Sequence, residues 1–301
     1  MRNSVSTKIC EFANKDKNVF LIVGDAGFGV WENYREQFPK RFLNMGVAEQ
    51  NMISFAAGLG LSGYKVFVYN IIPFLLYRCY EQVRNDICYQ RVPVTLLGIG
   101  SGVTYAPGGV THYGVEDLLL ARTLPNMEIM SPSDPLEAEL CIEHAYKSKN
   151  PTYIRIPKSG EPVIHTNAPN DISRPIVVKK GKDVAILFHG SVSIEVVKAT
   201  DGMEPSPMLI SVPMIQPLDT SFLGEILSDT VHTLITVEEN FKDGSLGGII
   251  SEWITKERCP YRLEKMGITN EFIHVIKNIN GMREHYGFSS SDIRERIETC
   301  I

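Results

Sequence analysis

The sequence predicts an α/β protein with a mostly parallel sheet, followed by a second, smaller α/β domain. Three observations carry this. Short apolar blocks alternate with helical patterns. The blocks are continuous rather than alternating, as in strands covered on both faces. The length of 301 residues suits about two domains at roughly 150 residues each.

In the first half, the expected strands are Asn18 to Val23, Lys65 to Tyr69, Val92 to Ile99, Met127 to Met130 and Thr152 to Ile156. Between them, Val47 to Leu61 reads as a small-residue helix and Phe74 to Tyr89 as a longer amphipathic one. Ser133 to Ser148 opens with Ser-Asp-Pro, with Ser133 as cap and Pro135 in the first turn. Gly100 to Gly114 has no helical period and reads as a functional loop after a strand. The polar, turn-rich SGEPVIHTNAPNDISRP, from Ser159, reads as a linker. Beyond it, Asp183 to Phe188, Met208 to Val212 and Thr233 to Val237 are expected strands. Phe222 to Leu227 and Leu246 to Thr255 are expected helices. The domains are drawn at 1–165 and 175–301.

Composition narrows the function. The 35 acidic and 30 basic residues give a net charge of −5, which argues against a generally basic nucleic-acid binder. No stretch approaches the roughly 18 apolar residues a membrane-spanning helix needs. The N-terminal MRNSVSTKICEF shows no apolar signal core. Six scattered cysteines form no CxxC pair, and no HExxH occurs, so no metal site is expected in this chain. A cytoplasmic protein without nucleic-acid or membrane partners is expected.

Several residues stand out locally, each with a plainer alternative. Asp25 follows the first strand in GDAGFG, a favoured ligand position, or it caps a turn. The spacing is neither GxGxxG nor a P-loop. Glu49 lies in NMGVAEQNM. It is either a solvent-facing boundary residue or a partly buried carboxyl, whose desolvation favours the protonated form. His112 sits in a Gly-rich loop and faces a ligand or solvent. Phe74 and Arg78 share a helix face, as a ring-and-cation platform for a flat charged cofactor or as a core ring beside a surface arginine.

Read together, RFLNMGVAEQNMISFAAGLG, YNIIPFLLYRCYEQVRNDI and GVTHYGVEDLLLARTLPNMEIMSPSD resemble the C-terminal half of transketolase-like thiamine-diphosphate enzymes. Weaker similarity runs through PTYIRIPKSGEP, QPLD and ITVEENFKDGSLGG. The resemblance implies a pyrimidine-binding domain and a transketolase C-terminal domain. It implies that Glu49 contacts the cofactor's aminopyrimidine. A carboxyl donating to the ring favours the imino tautomer that deprotonates the thiazolium carbon. It further implies that Phe74 stacks on that ring, with Arg78 and Gln82 of the same helix as further cofactor-binding residues. His112 is implied as a substrate-side donor, and Arg155 and Lys158 as phosphate-side bases. Asp25 is assigned to subunit contact or support.

Two departures bear on substrate. Gly108 stands where sugar-phosphate members often carry an acidic residue, and Lys158 replaces a frequent arginine. The second domain also looks trimmed between Gly190 and Met208. GDAG and Asn51 mimic the family's diphosphate and metal motif. That reading fails because Asn51 belongs to the AEQNM segment, on the pyrimidine side. The chain therefore resembles the small subunit of a split transketolase. A separate N-terminal subunit would supply the diphosphate site and a Mg²⁺ or Ca²⁺ ion, in an α2β2 assembly. The implied reaction moves a two-carbon ketol unit between a ketose and an aldose, as sugars or sugar phosphates. The alternatives are a pyruvate- or 2-oxoacid-using relative and a non-catalytic structural or regulatory homologue.

Overall fold

The computed structural model describes residues 1–158, 160–227 and 229–301. Ser159, where the predicted linker starts, lies outside them.

The first half builds six strands: β1 (Val19–Val23), β2 (Phe42–Asn44), β3 (Lys65–Ile71), β4 (Thr95–Ile99), β5 (Glu128–Met130) and β6 (Thr152–Ile156). They pair in parallel in the order β5-β6-β4-β3-β1-β2. β4 and β6 are buried at every residue, which fits the mostly apolar TLLGI and TYIRI, with Arg155 the one charged residue. Helices α1 (Arg2–Lys15) and α6 (Pro135–Lys147) cover one face, α1 through Val5, Ile9 and Ala13. Helix α2 (Glu32–Gln37) follows the Gly24–Gly29 turn. The opposite face carries α3 (Glu49–Leu61), a π-helical stretch Pro73–Tyr77, α4 (Tyr80–Gln82), a second π-helical stretch Val83–Cys88, and α5 (Asp117–Arg122).

Two local expectations are corrected. Phe74 to Tyr89 is not one regular α-helix. Arg78 N–H donates to Pro73 O (3.0 Å) and Tyr89 N–H to Arg84 O (2.9 Å), five residues back in each case. Such bulges insert a residue without ending the helix, so the apolar period alone does not reveal them. The N-cap of α6 is Asp134, not Ser133. The Asp134 carboxylate accepts from Glu137 N–H at 2.9 Å, while Glu137 Oε2 takes the Ser133 N–H at 2.6 Å.

The second sheet is built from β7 (Ile176–Lys179), β8 (Asp183–Phe188), β9 (Met208–Ser211), β11 (Val231–Phe241) and β12 (Arg262–Ile268). Its order is β12-β11-β8-β9-β7, and only β7 runs antiparallel. Between Gly190 and Met208 the helix α7 (Ser193–Ala199) has seven residues. Helices α8 (Thr220–Ile226), α9 (Leu246–Glu257), α10 (Ile279–His285) and α11 (Ser290–Glu298) complete this half.

The halves are joined in three ways. A short strand of the second half, β10 (Met214–Gln216), adds antiparallel to β5 at the edge of the first sheet. The apolar core under α3 continues through Leu118, Leu124 and Met127 into Leu187, Leu246 and Trp253. The Gly100–Gly114 loop packs Val103, Tyr113 and Val115 against Ile186, Phe188 and Val237. The second half therefore supports the loop that carries His112.

The polar run Glu238-Glu239-Asn240 on β11 lies in this joint, fully satisfied. Glu238 accepts from Leu246 N–H (3.1 Å) and Gly247 N–H (2.9 Å) at the start of α9, and pairs with His189 at 3.5 Å. His189 also bonds Ser131 at 2.9 Å. This Ser-His-Glu line is wholly buried and works as a tie. Glu239 accepts from Arg283 and from Ser191 (3.0 Å).

Candidate functional site

Adjacent parallel strands β3 and β4 deliver their carboxyl ends to one side of the sheet. Ligand positions in parallel sheets lie there. Phe74 follows β3 directly, and the His112 loop follows β4. Glu49 opens α3, whose inner face (Met52, Ile53, Ala56, Ala57) is buried against the sheet. The small residues of this helix permit that close approach: a Cβ on Gly60 would collide with the Val92 side chain.

The side chains converge. Glu49 is 4% exposed. Its Oε1 accepts from Arg78 Nη1 at 2.8 Å. The Arg78 guanidinium lies 4.6 Å from the centre of the half-buried Phe74 ring. The ring of Phe74 meets His112 edge-on at 5.5 Å. On the far side of His112 stands Tyr105, 5.9 Å between rings, and Lys158 Nζ sits 5.2 Å over Tyr105. Thr111 Oγ1 lies 2.8 Å from His112 Nδ1. The result is a continuous line from a buried carboxyl, through an aromatic platform, to a histidine and a lysine. Burial, reinforced by the Glu49 carboxyl beside it, pushes the Cys79 thiol up to about 12, so it stays protonated behind the site.

Glycine shapes the loop at two points. Gly100 has φ +92°, and a Cβ there would overlap the Tyr105 ring. At Gly108 a Cβ would lie 2.9 Å from Tyr105 O and 3.1 Å from His112 Cβ. The loop as folded has no room for the acidic side chain that sugar-phosphate relatives often place there.

The remaining sequence candidates separate. Gln82 donates to Glu81 at 2.5 Å, and its Oε1 is buried without a partner among the described residues. Asp25 is exposed, and its carboxylate has no partner among the described residues. Its N–H donates to Gly46 O at 3.0 Å. Lys158 is exposed and beside the loop, within reach of an incoming anion.

Arg155 is the exception. It is 1% exposed and lies in the joint between the halves, so it cannot meet a phosphate from solvent. Nη2 donates to Gly114 O at 2.8 Å, Nη1 donates to Asn240 Oδ1, and Nε pairs with Asp117 Oδ2 at 2.8 Å. Asp117 is completed by Tyr153 (2.7 Å) and Asn240 (2.9 Å). Its expected phosphate contact is therefore corrected to a structural tie. The pattern of β6 could have warned of this, because every neighbour of Arg155 on that strand is core.

Sequence reasoning missed Tyr105 and the Glu238–Asn240 run. The second left a trace: three polar residues closing an otherwise apolar strand.

Two family models cover most of the chain. The transketolase pyrimidine-binding domain matches residues 1–162 and the transketolase C-terminal domain residues 175–293. The chain belongs to the transketolase family, whose enzymes work with thiamine diphosphate. Among individual proteins, it is 33% identical to one of the subunits of the apulose-4-phosphate transketolase of Actinobacillus succinogenes, over 86% of this chain and 84% of that one. It is 33% identical to the 1-deoxy-D-xylulose-5-phosphate synthase of Dictyoglomus turgidum over 89% of this chain, but spans only 44% of that enzyme. A solved split-gene transketolase, described as an inactive β4 tetramer, matches with a TM-score of 0.89 at 27% identity, over 99% of this chain and 97% of that one. The chain strongly resembles a split transketolase subunit. No helix among the described residues is long and apolar enough to cross a membrane.

Proposed function

We propose that this chain is the pyrimidine-side subunit of a split transketolase, working as an α2β2 assembly with an N-terminal-type partner. The observation that carries the reading is the convergence of Glu49, Phe74 and His112 at the strand ends. The full-length similarity to an inactive β4 assembly supports it. Domain units of 1–165 and 175–301 are proposed with it. A cytoplasmic location is supported by six free thiols.

The residues present fit the aminopyrimidine half of the cofactor. A buried carboxyl stands beside a half-exposed ring. Among the described residues no group of three His, Cys, Asp or Glu side chains is placed to hold a metal. On this reading the diphosphate and its Mg²⁺ or Ca²⁺ belong to the partner. Thiamine diphosphate, when bound, supplies the nucleophilic carbon and the electron sink for carbon–carbon cleavage.

This chain's residues do the rest. Glu49, buried from solvent, holds a proton toward a ring nitrogen. Phe74 stacks on the ring and Gln82 lines its approach. His112 donates to a substrate oxygen as charge develops there. Lys158 attracts a substrate phosphate as a point charge rather than a bidentate fork. Asp25, exposed beside the Gly-rich turn, serves subunit contact or support.

The test is reconstitution. The purified chain with thiamine diphosphate and Mg²⁺ should transfer no ketol unit, and adding the partner should restore transfer. Robust turnover by the chain alone would overturn the split reading. A pyruvate-type donor is the second reading, favoured by the synthase similarity and by Gly108. Ketose-phosphate and pyruvate donors compared on the reconstituted pair separate the two.

A further inference from the structure

Arg78 touches both groups that the thiamine reading assigns to the aminopyrimidine. Its Nη1 donates to Glu49 Oε1 at 2.8 Å, and its guanidinium lies 4.6 Å from the centre of the Phe74 ring. One guanidinium thus bridges the carboxyl and the ring. His112 already takes the ring edge-on.

The two partners differ in exposure. The Arg78 side chain is 48% exposed and that of Glu49 5%. The carboxyl is the floor of the slot and the guanidinium is its cover. A guanidinium is flat, stacks on aromatic faces and donates hydrogen bonds in its own plane. A protonatable aminopyrimidine offers the same three features, so each satisfies the slot and neither can share it.

The backbone beneath is pinned. Arg78 N–H closes the π turn on Pro73 O at 3.0 Å, and Arg78 O accepts from Gln50 Nε2 at 3.4 Å. Among the described residues the side chain's hydrogen-bond and ring partners are the two of the slot. It can swing outward without unfolding the helix.

We propose that Arg78 is a built-in placeholder: in the chain on its own its guanidinium fills the Glu49–Phe74 slot, and it must swing out to admit the aminopyrimidine ring. This rests on the thiamine reading of the site. Its consequence is that the free chain binds the pyrimidine weakly, because the slot is open only part of the time. The arrangement also keeps the buried carboxyl paired until the ring arrives, and so avoids an unpaired buried charge.

The isolated chain is titrated calorimetrically with 4-amino-5-hydroxymethyl-2-methylpyrimidine, the free pyrimidine half. Arg78→Ala should bind it about tenfold more tightly than the wild type. Arg78→Lys should fall between, since it keeps the charge and loses the flat stack. Adding Glu49→Ala to Arg78→Ala should abolish the gain. Melting curves establish that each variant is folded. Equal or weaker binding by Arg78→Ala, or no binding by either protein, overturns the placeholder. Turnover by the wild-type reconstituted pair is measured alongside. An active pair with no gain in Arg78→Ala sinks the placeholder alone. An inactive pair with the gain present sinks the transketolase reading and leaves the slot standing.

Discussion

Two arginine–carboxylate pairs of this chain have the same contact distance and opposite character. Asp117 and Arg155 meet at 2.8 Å with both partners closed to solvent, and Tyr153, Asn240 and Gly114 O add hydrogen bonds around the pair. Glu49 and Arg78 also meet at 2.8 Å, but the arginine is half-exposed and the carboxylate has no other hydrogen bond among the described residues. A buried ion pair held by several further hydrogen bonds is a structural tie. A buried carboxyl held by one movable cation has spare capacity, and a ligand can take it. The second pair therefore lies in the site and the first in the frame.

The largest expected effect falls on the frame. Arg155→Ala leaves Asp117 buried and unpaired, which costs about 3–5 kcal/mol. Urea unfolding should show that loss, and a shift below about 1 kcal/mol would mean the joint is not a satisfied network.

Glu49→Gln tests the other pair. The variant should fold and assemble. Turnover of the reconstituted pair should fall by about 10²-fold or more, because the amide cannot exchange the proton. Near-normal turnover would remove Glu49 from its role.

The smallest effect is in the 160–175 segment. His165 Nε2 bonds Glu137 Oε1 at 2.7 Å. Burial opposes its charge, but the Glu137 hydrogen bond and carboxylate outweigh burial and raise its pKa. The raised value belongs to the folded state. The stabilisation is thus complete below the unfolded value of about 6.5 and is lost as pH rises through the folded one. Limited proteolysis of this segment should become faster as pH rises from about 6 into the alkaline range, and His165→Ala should remove that pH dependence.

Much of the first half was legible. Mostly apolar runs such as TYIRI mark strands covered on both faces, and the observed β6 spans the same residues. The small-residue helix beginning near Glu49 was also readable, because its composition permits close packing. The π turns around Arg78 were not, since a one-residue insertion barely disturbs an apolar period. Ser133 against Asp134 was a choice between two good caps, decided by which side chain reached Glu137 N–H.

Arg155 shows where local reading stops. A basic residue in IRIPK looks available for an anion until its strand is placed in the sheet. Register then points it at Asp117, and the second half closes over it with Asn240. The His112 loop is the converse case. Its glycines announced a loop, but the apolar backing from Phe188 and Val237 comes from far along the chain.

The sequence by itself determined the class of fold, eight of the twelve strands found among the described residues, and the residue types the site requires. Hydrophobic period and side-chain chemistry are local properties, and a chain states them directly. The tertiary structure alone decided which charges are spent and which remain free. Burial and partner count depend on segments distant in sequence, and they separate Arg155 from Arg78.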